Sequence, residues 1–192
     1  MIIVQIGANK GDDSCSDFVI KNKGLIEEVH LVEPLATCNT HINNVYKDIA
    51  NVKIYNLAIT DNPILKEMTI YYPKQDNMSG HSSSIYSHLT AHSHAEIEFV
   101  TVSCFTLEDF FLNNGINKCD RLYIDTEGLD CKILLGFDFN KYNIRYIEFE
   151  IIHADGTFNK GESYNKCIAK FIENGYRIEA AGDFNECAVK ND

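Results

Sequence analysis

The amino-acid sequence predicts an α/β fold built around a mostly parallel sheet. Short β-branched runs alternate with segments of helical apolar spacing, the pattern of strand–helix–strand units. The apolar runs are strand-sized, and most are followed by turn chemistry. At 192 residues the chain has the length of one domain and can bury a continuous core.

The first strand is Ile2-Ile3-Val4-Gln5-Ile6, closing on Gly7-Ala8-Asn9-Lys10-Gly11. A helix is expected from about Asp12 to Lys23, with acids in its first turn, lysines in its last and Gly24 as a stop. Val29 to Val32 forms the second strand, ending at Glu33-Pro34, where proline helps fix the turn. Leu35, Cys38, Ile42, Val45 and Tyr46 carry helical spacing, and Val52 to Leu57 is a third strand leading into Ala58-Ile59. Met68–Tyr72 and Glu96–Cys104 read as strands. Between them, residues 76–95 are rich in Ser and His and predict a lid over the site, because a loop this long in a compact domain is usually functional. Thr106 is an expected N-cap, with Asp109 three residues on, and Asn113-Asn114-Gly115 ends that helix. Arg121 to Ile124 is a buried strand closing on Asp125-Thr126-Glu127-Gly128, followed by a short helix over 129–135. Tyr146–Ile151 is the next strand, a helix runs through Tyr164 and Phe171, and residues 176–179 and 185–189 predict the last two strands.

Composition narrows the function. Apolar residues make up 45% and charged residues 23%, a soluble globular profile. The net charge of −11, with scattered lysines, excludes a nucleic-acid partner. An acidic surface suits a neutral or cationic partner, or serves solubility alone. Seven cysteines, an odd number without C-x-x-C spacing, argue against a zinc site or a disulfide framework and for reduced thiols in a cytoplasmic protein. No run is long enough to span a membrane, and no signal peptide is evident. The first strand opens directly at Ile2, so the single domain, 1–192, is expected to be cut from a longer protein.

In an open α/β sheet, ligands sit beyond the carboxyl ends of the strands. The unusual residues fall there: the Gly7–Gly11 loop, Glu33, Ala58, Asp125-Thr126-Glu127, and Glu150 with His153. Gly7 permits a tight strand-to-helix turn and Gly11 a close backbone approach to a ligand. The spacing Gly-x-x-x-Gly lacks the middle glycine that a dinucleotide pyrophosphate requires. Glu33, at the end of the second strand, can accept hydrogen bonds from both hydroxyls of a ribose. Loop and acid together point to a nucleoside ligand.

Ile6-Gly7-Ala8-Asn9-Lys10-Gly11, Val32-Glu33-Pro34, Asn56-Leu57-Ala58-Ile59, Thr106-Leu107-Glu108-Asp109 and Leu122-Tyr123-Ile124-Asp125-Thr126-Glu127-Gly128, with Leu134 and Gly136, resemble the FkbM-type methyltransferases in composition and order. The resemblance runs from about Ile2 to Glu150. It implies a class I methyltransferase fold: a Rossmann-like, doubly wound, mostly parallel seven-stranded sheet with helices on both faces and its last strand antiparallel. It implies S-adenosylmethionine as cofactor, with S-adenosylhomocysteine as product. Gly7, Asn9 and Gly11 would hold the methionine part, Glu33 the ribose, and Ala58 would lie near the adenine and Asp125 near the methyl group. Ala8, Pro34 and Ser84 complete the expected cofactor contacts. One departure stands out. The family often has an acid two residues before the first glycine, and here that residue is Gln5.

Methyl transfer to a hydroxyl requires a proton acceptor within hydrogen-bond reach. Asp125, Glu127, Glu150 and His153 are the candidates, Asp125 foremost. Glu127 has the competing role of capping the following helix, and His153 that of a surface residue. The expected acceptor is a sugar hydroxyl of a glycan or activated sugar. A lipid, polyketide-like or protein acceptor, a nicotinamide oxidoreductase and a non-catalytic domain remain alternatives. No metal is expected: magnesium suits several carboxylates, but no adjacent acids follow the fourth or fifth strand of the main sheet. His81, His88, His92 and His94 match no zinc spacing, and a polar lid contacting a hydroxylated substrate, through Ser82, Ser83 and Ser84, is the better reading. The sequence leaves oligomeric state open.

Overall fold

A computed structural model describes residues 1–74, 82–87, 90, 96–154 and 159–191. The strands are β1 (Ile2–Ile6), β2 (Glu28–Val32), β3 (Val52–Tyr55), β4 (Ala58–Ile59), β5 (Glu67–Pro73), β6 (Ile97–Phe105), β7 (Arg121–Ile124), β8 (Tyr146–Glu150), β9 (Tyr176–Ala180) and β10 (Asn185–Lys190). The helices are α1 (Ser14–Lys21), α2 (Asn39–Val45), α3 (Leu107–Asn113), α4 (Asp130–Leu135) and α5 (Gly161–Glu173).

Seven strands form the main sheet in the order β3-β2-β1-β7-β8-β10-β9. All neighbours pair parallel except β10, which is antiparallel to both β8 and β9. This is the doubly wound arrangement the sequence predicts, with its last strand reversed. Alternation along β1 sends Val4 and Ile6 to one face and Ile3 to the other. The first face packs on α3, α4 and α5 through Phe110, Phe111, Leu134, Phe149 and Phe171. The second packs on α1 and α2 through Cys15, Val19 and Ile42. Phe110, Phe111, Phe149 and Phe171 are fully buried, and truncating any of them to Ala would cost about 3–5 kcal/mol.

The chain builds outward from β1 to β3, then returns to lay β7 on the other side of β1. The strand order therefore switches between β1 and β7, where a ligand crevice is expected. The ladder there is tight to its end, with Asp125 N donating to Ile6 O at 2.9 Å.

Several boundaries differ from expectation. Helix α1 starts at Ser14, because the Asp13 carboxylate accepts from Cys15 N and Ser16 N and caps it. It ends at Lys21, and Gly24 lies in a short 3-10 turn over Lys23–Leu25. The third strand stops at Tyr55, and Ala58–Ile59 changes partners, pairing parallel with β6. β5 and β6 form an antiparallel hairpin with Met68 opposite Val102. These three strands make a second sheet, ordered β4-β6-β5, that stands beside the strand ends. Thr106 caps α3 as expected, accepting from Asp109 N. All seven cysteines are buried thiols. No described helix is long and apolar enough to cross a membrane.

Candidate active site

Gly7 shapes the crevice. It has φ +78°, and a Cβ on it would lie 1.7 Å from the Asp125 carbonyl oxygen. Only glycine fits where β7 approaches this closely. Its N–H and that of Ala8 both donate to Val32 O, at 2.9 and 3.0 Å. The glycine loop is thereby stitched to β2.

Glu33 completes the stitch. One carboxylate oxygen accepts from Asn9 N and the other from Leu35 N, both at 2.8 Å. The residue is 2% exposed, and burial pushes its pKa up to about 7, partly offset by those two amides. Each oxygen keeps a lone pair for a further donor. Asn9 adopts a left-handed φ of 45° to present its N–H.

Glu33 and Asp125 both line a cavity of about 440 Å³ that opens in part to solvent. Its apolar side includes Ile6, Leu57, Ala58, Ile59, Met68 and Ile70, four of them from the second sheet. Pro34 and Ser82, Ser83 and Ser84 also line it. A second, polar cavity shares Asp125 and is lined by Gln5, Asp13, Ser14, Glu148 and Asn185. There, buried Gln5 donates from Nε2 to Asp13 Oδ2 at 2.5 Å, which leaves Gln5 Oε1 without a partner. Burial raises the Asp13 carboxyl above its ordinary range, against the pull of the Gln5 bond. Glu148 accepts from Ser14 Oγ and Tyr146 OH, each at 2.7 Å.

Beyond Asp125 the ends of β7 and β8 meet in an acidic cluster. Asp125 reaches solvent at the crevice floor, while protein packed around its carboxyl keeps much of the water from that group. Burial, with neighbouring carboxylates adding to it, moves the carboxyls of Asp125 to about 6, Asp130 to about 7, Glu127 to about 8 and Glu150 to about 10. Glu150 is 8% exposed and His153 6%. Glu150 Oε1 stands 3.8 Å from His153 Nε2, beyond hydrogen-bonding distance. Glu150 Oε2 is buried without a hydrogen-bond partner. Asp130 is held from below by the N–H and hydroxyl of Thr126. Glu127 has a left-handed φ of 54°, and buried Ser83 donates its hydroxyl to the Glu127 carbonyl at 3.0 Å.

The fold brings Asp125, Glu127, Glu150 and His153 together, and gathers Gly7, Asn9, Glu33, Pro34, Ala58 and Ser84 around the adjoining cavities. Ala8 and Gly11 stand back. Ala8 is fully buried in the core, and Gly11 packs under α2, where a Cβ would meet Tyr46 at 3.1 Å. Gly11 is thus placed by close helix packing, and Ala8 by its bond to β2. The helix α4 carries no side-chain cap bond; Thr126 Oγ1 accepts from Leu129 N in the turn before it. His153 is buried, not on the surface. His81, His88, His92 and His94, and most of the expected lid over 76–95, lie outside the described residues. Two site residues escaped the sequence reading. Asp13 and Asp130 both sit at helix starts, where an acid is ordinary.

The model of the Methyltransferase FkbM domain family matches residues 5–178. The chain belongs to this family. Among solved structures, the FkbM domain is similar to methyltransferase FkbM from Methylobacillus flagellatus KT, with a TM-score of 0.57 and 16% identity over 97% of this chain and 42% of that one. It thus spans less than half of the Methylobacillus protein. It also resembles the fibrillarin pre-rRNA processing protein of Methanococcus jannaschii, with a TM-score of 0.51, 11% identity, and coverage of 98% of this chain and 66% of that one. The fibrillarin of Aeropyrum pernix, solved with natively bound S-adenosyl-L-methionine, gives a TM-score of 0.50 and 13% identity over 97% of this chain and 65% of that one. No curated protein matches the FkbM domain. At these identities the structural likeness shows the fold alone, that of the Rossmann-like methyltransferases.

Proposed function

We propose that this domain is an S-adenosylmethionine-dependent O-methyltransferase acting on a sugar hydroxyl of a glycan or activated sugar. The observation that carries the reading is the continuity of the crevice. An apolar wall, the buried carboxylate of Glu33 and the carboxylate of Asp125 line one cavity, and the acidic cluster adjoins Asp125.

The residues fit the cofactor. Ala58, Met68 and Ile70 offer an apolar slot for an adenine. The free lone pairs of Glu33 suit ribose hydroxyls. The unpartnered Gln5 Oε1 and the Asp13 carboxylate suit an ammonium group, so Asp13 supplies the negative charge that Gln5 lacks. When bound, the cofactor supplies a methyl group on a sulfonium; the acceptor oxygen forms the C–O bond as the C–S bond breaks and that electron pair stays on sulfur.

The chain's own task is to position the acceptor and take its proton. Asp125, with a pKa near 6, is ionised at neutral pH and open to the crevice. It accepts the hydroxyl proton as the oxygen attacks. Glu127 and Glu150, largely protonated at that pH, donate hydrogen bonds to neighbouring hydroxyls of a sugar, and Ser82 and Ser84, which line the cavity, contact the acceptor.

Calorimetry with S-adenosylhomocysteine tests the reading, comparing wild type with Glu33→Ala. Micromolar binding that the substitution weakens by about 1–3 kcal/mol is expected. Absence of binding to wild type would overturn it. Methyl transfer to sugar acceptors, against lipid and protein acceptors, then tests the substrate class.

A further inference from the structure

We propose that Glu127, Glu150 and His153 form a binding site for a divalent cation of the manganese or magnesium type, with Asp125 beside it. Ligand atoms of Glu127, Glu150 and His153 all lie within 4.8 Å of one another, and so do those of Asp125, Asp130 and Glu150. Glu150 belongs to both groups, so the two form one cluster. Oxygen ligands at about 2.0–2.6 Å from a common ion are separated by no more than twice that distance. The Glu127, Glu150 and His153 atoms meet that spacing.

Closeness of acids alone would say little. The second observation is Glu150 Oε2, which is buried and has no hydrogen-bond partner although the residue is 92% removed from solvent. A buried carboxylate oxygen is seldom left so. Its other oxygen faces His153 Nε2 at 3.8 Å, too far for a hydrogen bond and close enough for both atoms to ligate one ion. Glu127 adds a third sign. Its left-handed φ of 54° is unfavourable for a residue with a side chain, and such strain persists where the surroundings enforce it. The Ser83 hydroxyl donates to the Glu127 carbonyl at 3.0 Å.

Asp130 is a positioning residue. Its carboxylate is occupied by Thr126, which holds the β7–α4 turn that carries Asp125 and Glu127. Two carboxylates and one imidazole, with water filling the remaining positions, make a mainly hard donor set, which favours manganese or magnesium over softer metals. The sequence argued against a metal because no adjacent acids follow a strand. The fold achieves the same convergence from the ends of two neighbouring strands.

The site stands on its own geometry, whereas its role for the acceptor rests on the methyltransferase reading. A cation here would take the acceptor oxygen beside Asp125 and lower the pKa of that hydroxyl. The proton would pass to Asp125, which stands beside the ion's ligands.

The test uses the whole chain, stripped with EDTA and desalted. Manganese is added alone, and the loss of the free-ion paramagnetic resonance signal is followed. Wild type is expected to bind one ion per chain with a Kd on the order of 10⁻⁶ to 10⁻³ M. Glu150→Gln, which keeps the shape of the side chain, is expected to weaken binding about tenfold or more. That variant is also expected to gain less melting temperature from added manganese than wild type does. Failure of wild type to saturate, or equal binding by Glu150→Gln, overturns the site. S-adenosylhomocysteine binding is measured on the same samples. Cofactor binding without manganese binding sinks the metal site and leaves the methyltransferase reading standing; the reverse result sinks only that reading.

Discussion

Gly7 and Asp125 touch backbone to backbone across β1 and β7. A methyl group on Gly7 would sit 1.7 Å from the Asp125 carbonyl oxygen, a contact that no rotamer change relieves. Gly7→Ala must therefore displace the end of β7 and hold Ala at a φ of +78°. A loss of roughly 3 kcal/mol or more in urea unfolding is expected, with S-adenosylhomocysteine affinity falling in whatever fraction remains folded.

Asp13 and Gln5 give a selective prediction. Asn is as good an N-cap as Asp, so Asp13→Asn keeps α1 and removes only the charge. It is expected to weaken S-adenosylhomocysteine binding about tenfold, or 1.4 kcal/mol. Binding of 5′-methylthioadenosine, which lacks the amino-acid group, should stay unchanged. Equal loss for both ligands, measured by calorimetry, would mean that Asp13 acts only through the fold.

The buried acids make stability depend on pH in an unusual direction. Glu33 titrates near 7 in the folded chain, against an ordinary value of 4.5. Between those values the unfolded chain has lost the proton and the folded chain has kept it, so stability falls as pH rises and levels off above about 7. Glu33 alone accounts for about 3 kcal/mol. Glu127, raised to about 8, and Asp130, raised to about 7, act in the same sense. Urea midpoints in EDTA should drop from about pH 5 to about pH 8. Glu33→Gln should flatten part of that slope.

Ser83 links the second sheet to the acidic turn. Its hydroxyl donates to Glu127 O and accepts from Ile85 N, each at 3.0 Å. Ser83→Ala leaves a buried carbonyl without that donor, a loss of about 1–3 kcal/mol locally. The expected outcome is a lower kcat for methyl transfer with S-adenosylhomocysteine affinity nearly unchanged. A change confined to cofactor affinity would count against a role for Ser83 in holding Glu127.

Much of this was legible in the chain before folding. Gly7, Glu33 and Asp125 could be found because each ends a β-branched run, and the strand-end rule places such residues at the crevice. The second sheet was less accessible. Met68 and Ile70 read as strand residues, but their pairing with β6 spans the long 76–95 segment, and no local signal fixes it. Asp130 was hidden for a different reason. It lies five positions beyond Asp125 at the head of a helix, and only the turn through Thr126 folds it back. His153 could equally be read as flanking the acceptor or lying on the surface, and only the fold shows it buried. Gln5 was noticed as a departure, yet the charge that answers it sits on another element.

Most of the apolar cavity wall is drawn from the β4-β6-β5 sheet, whereas Glu33 and Asp125 follow strands of the main one. Recognition is thus shared between two separately hydrogen-bonded units, and only their mutual registry makes the pocket whole. Changes along the hairpin can retune ligand preference while the seven-stranded scaffold stays intact. By the same logic, a melting curve that follows the scaffold reports a different event from one that follows ligand affinity.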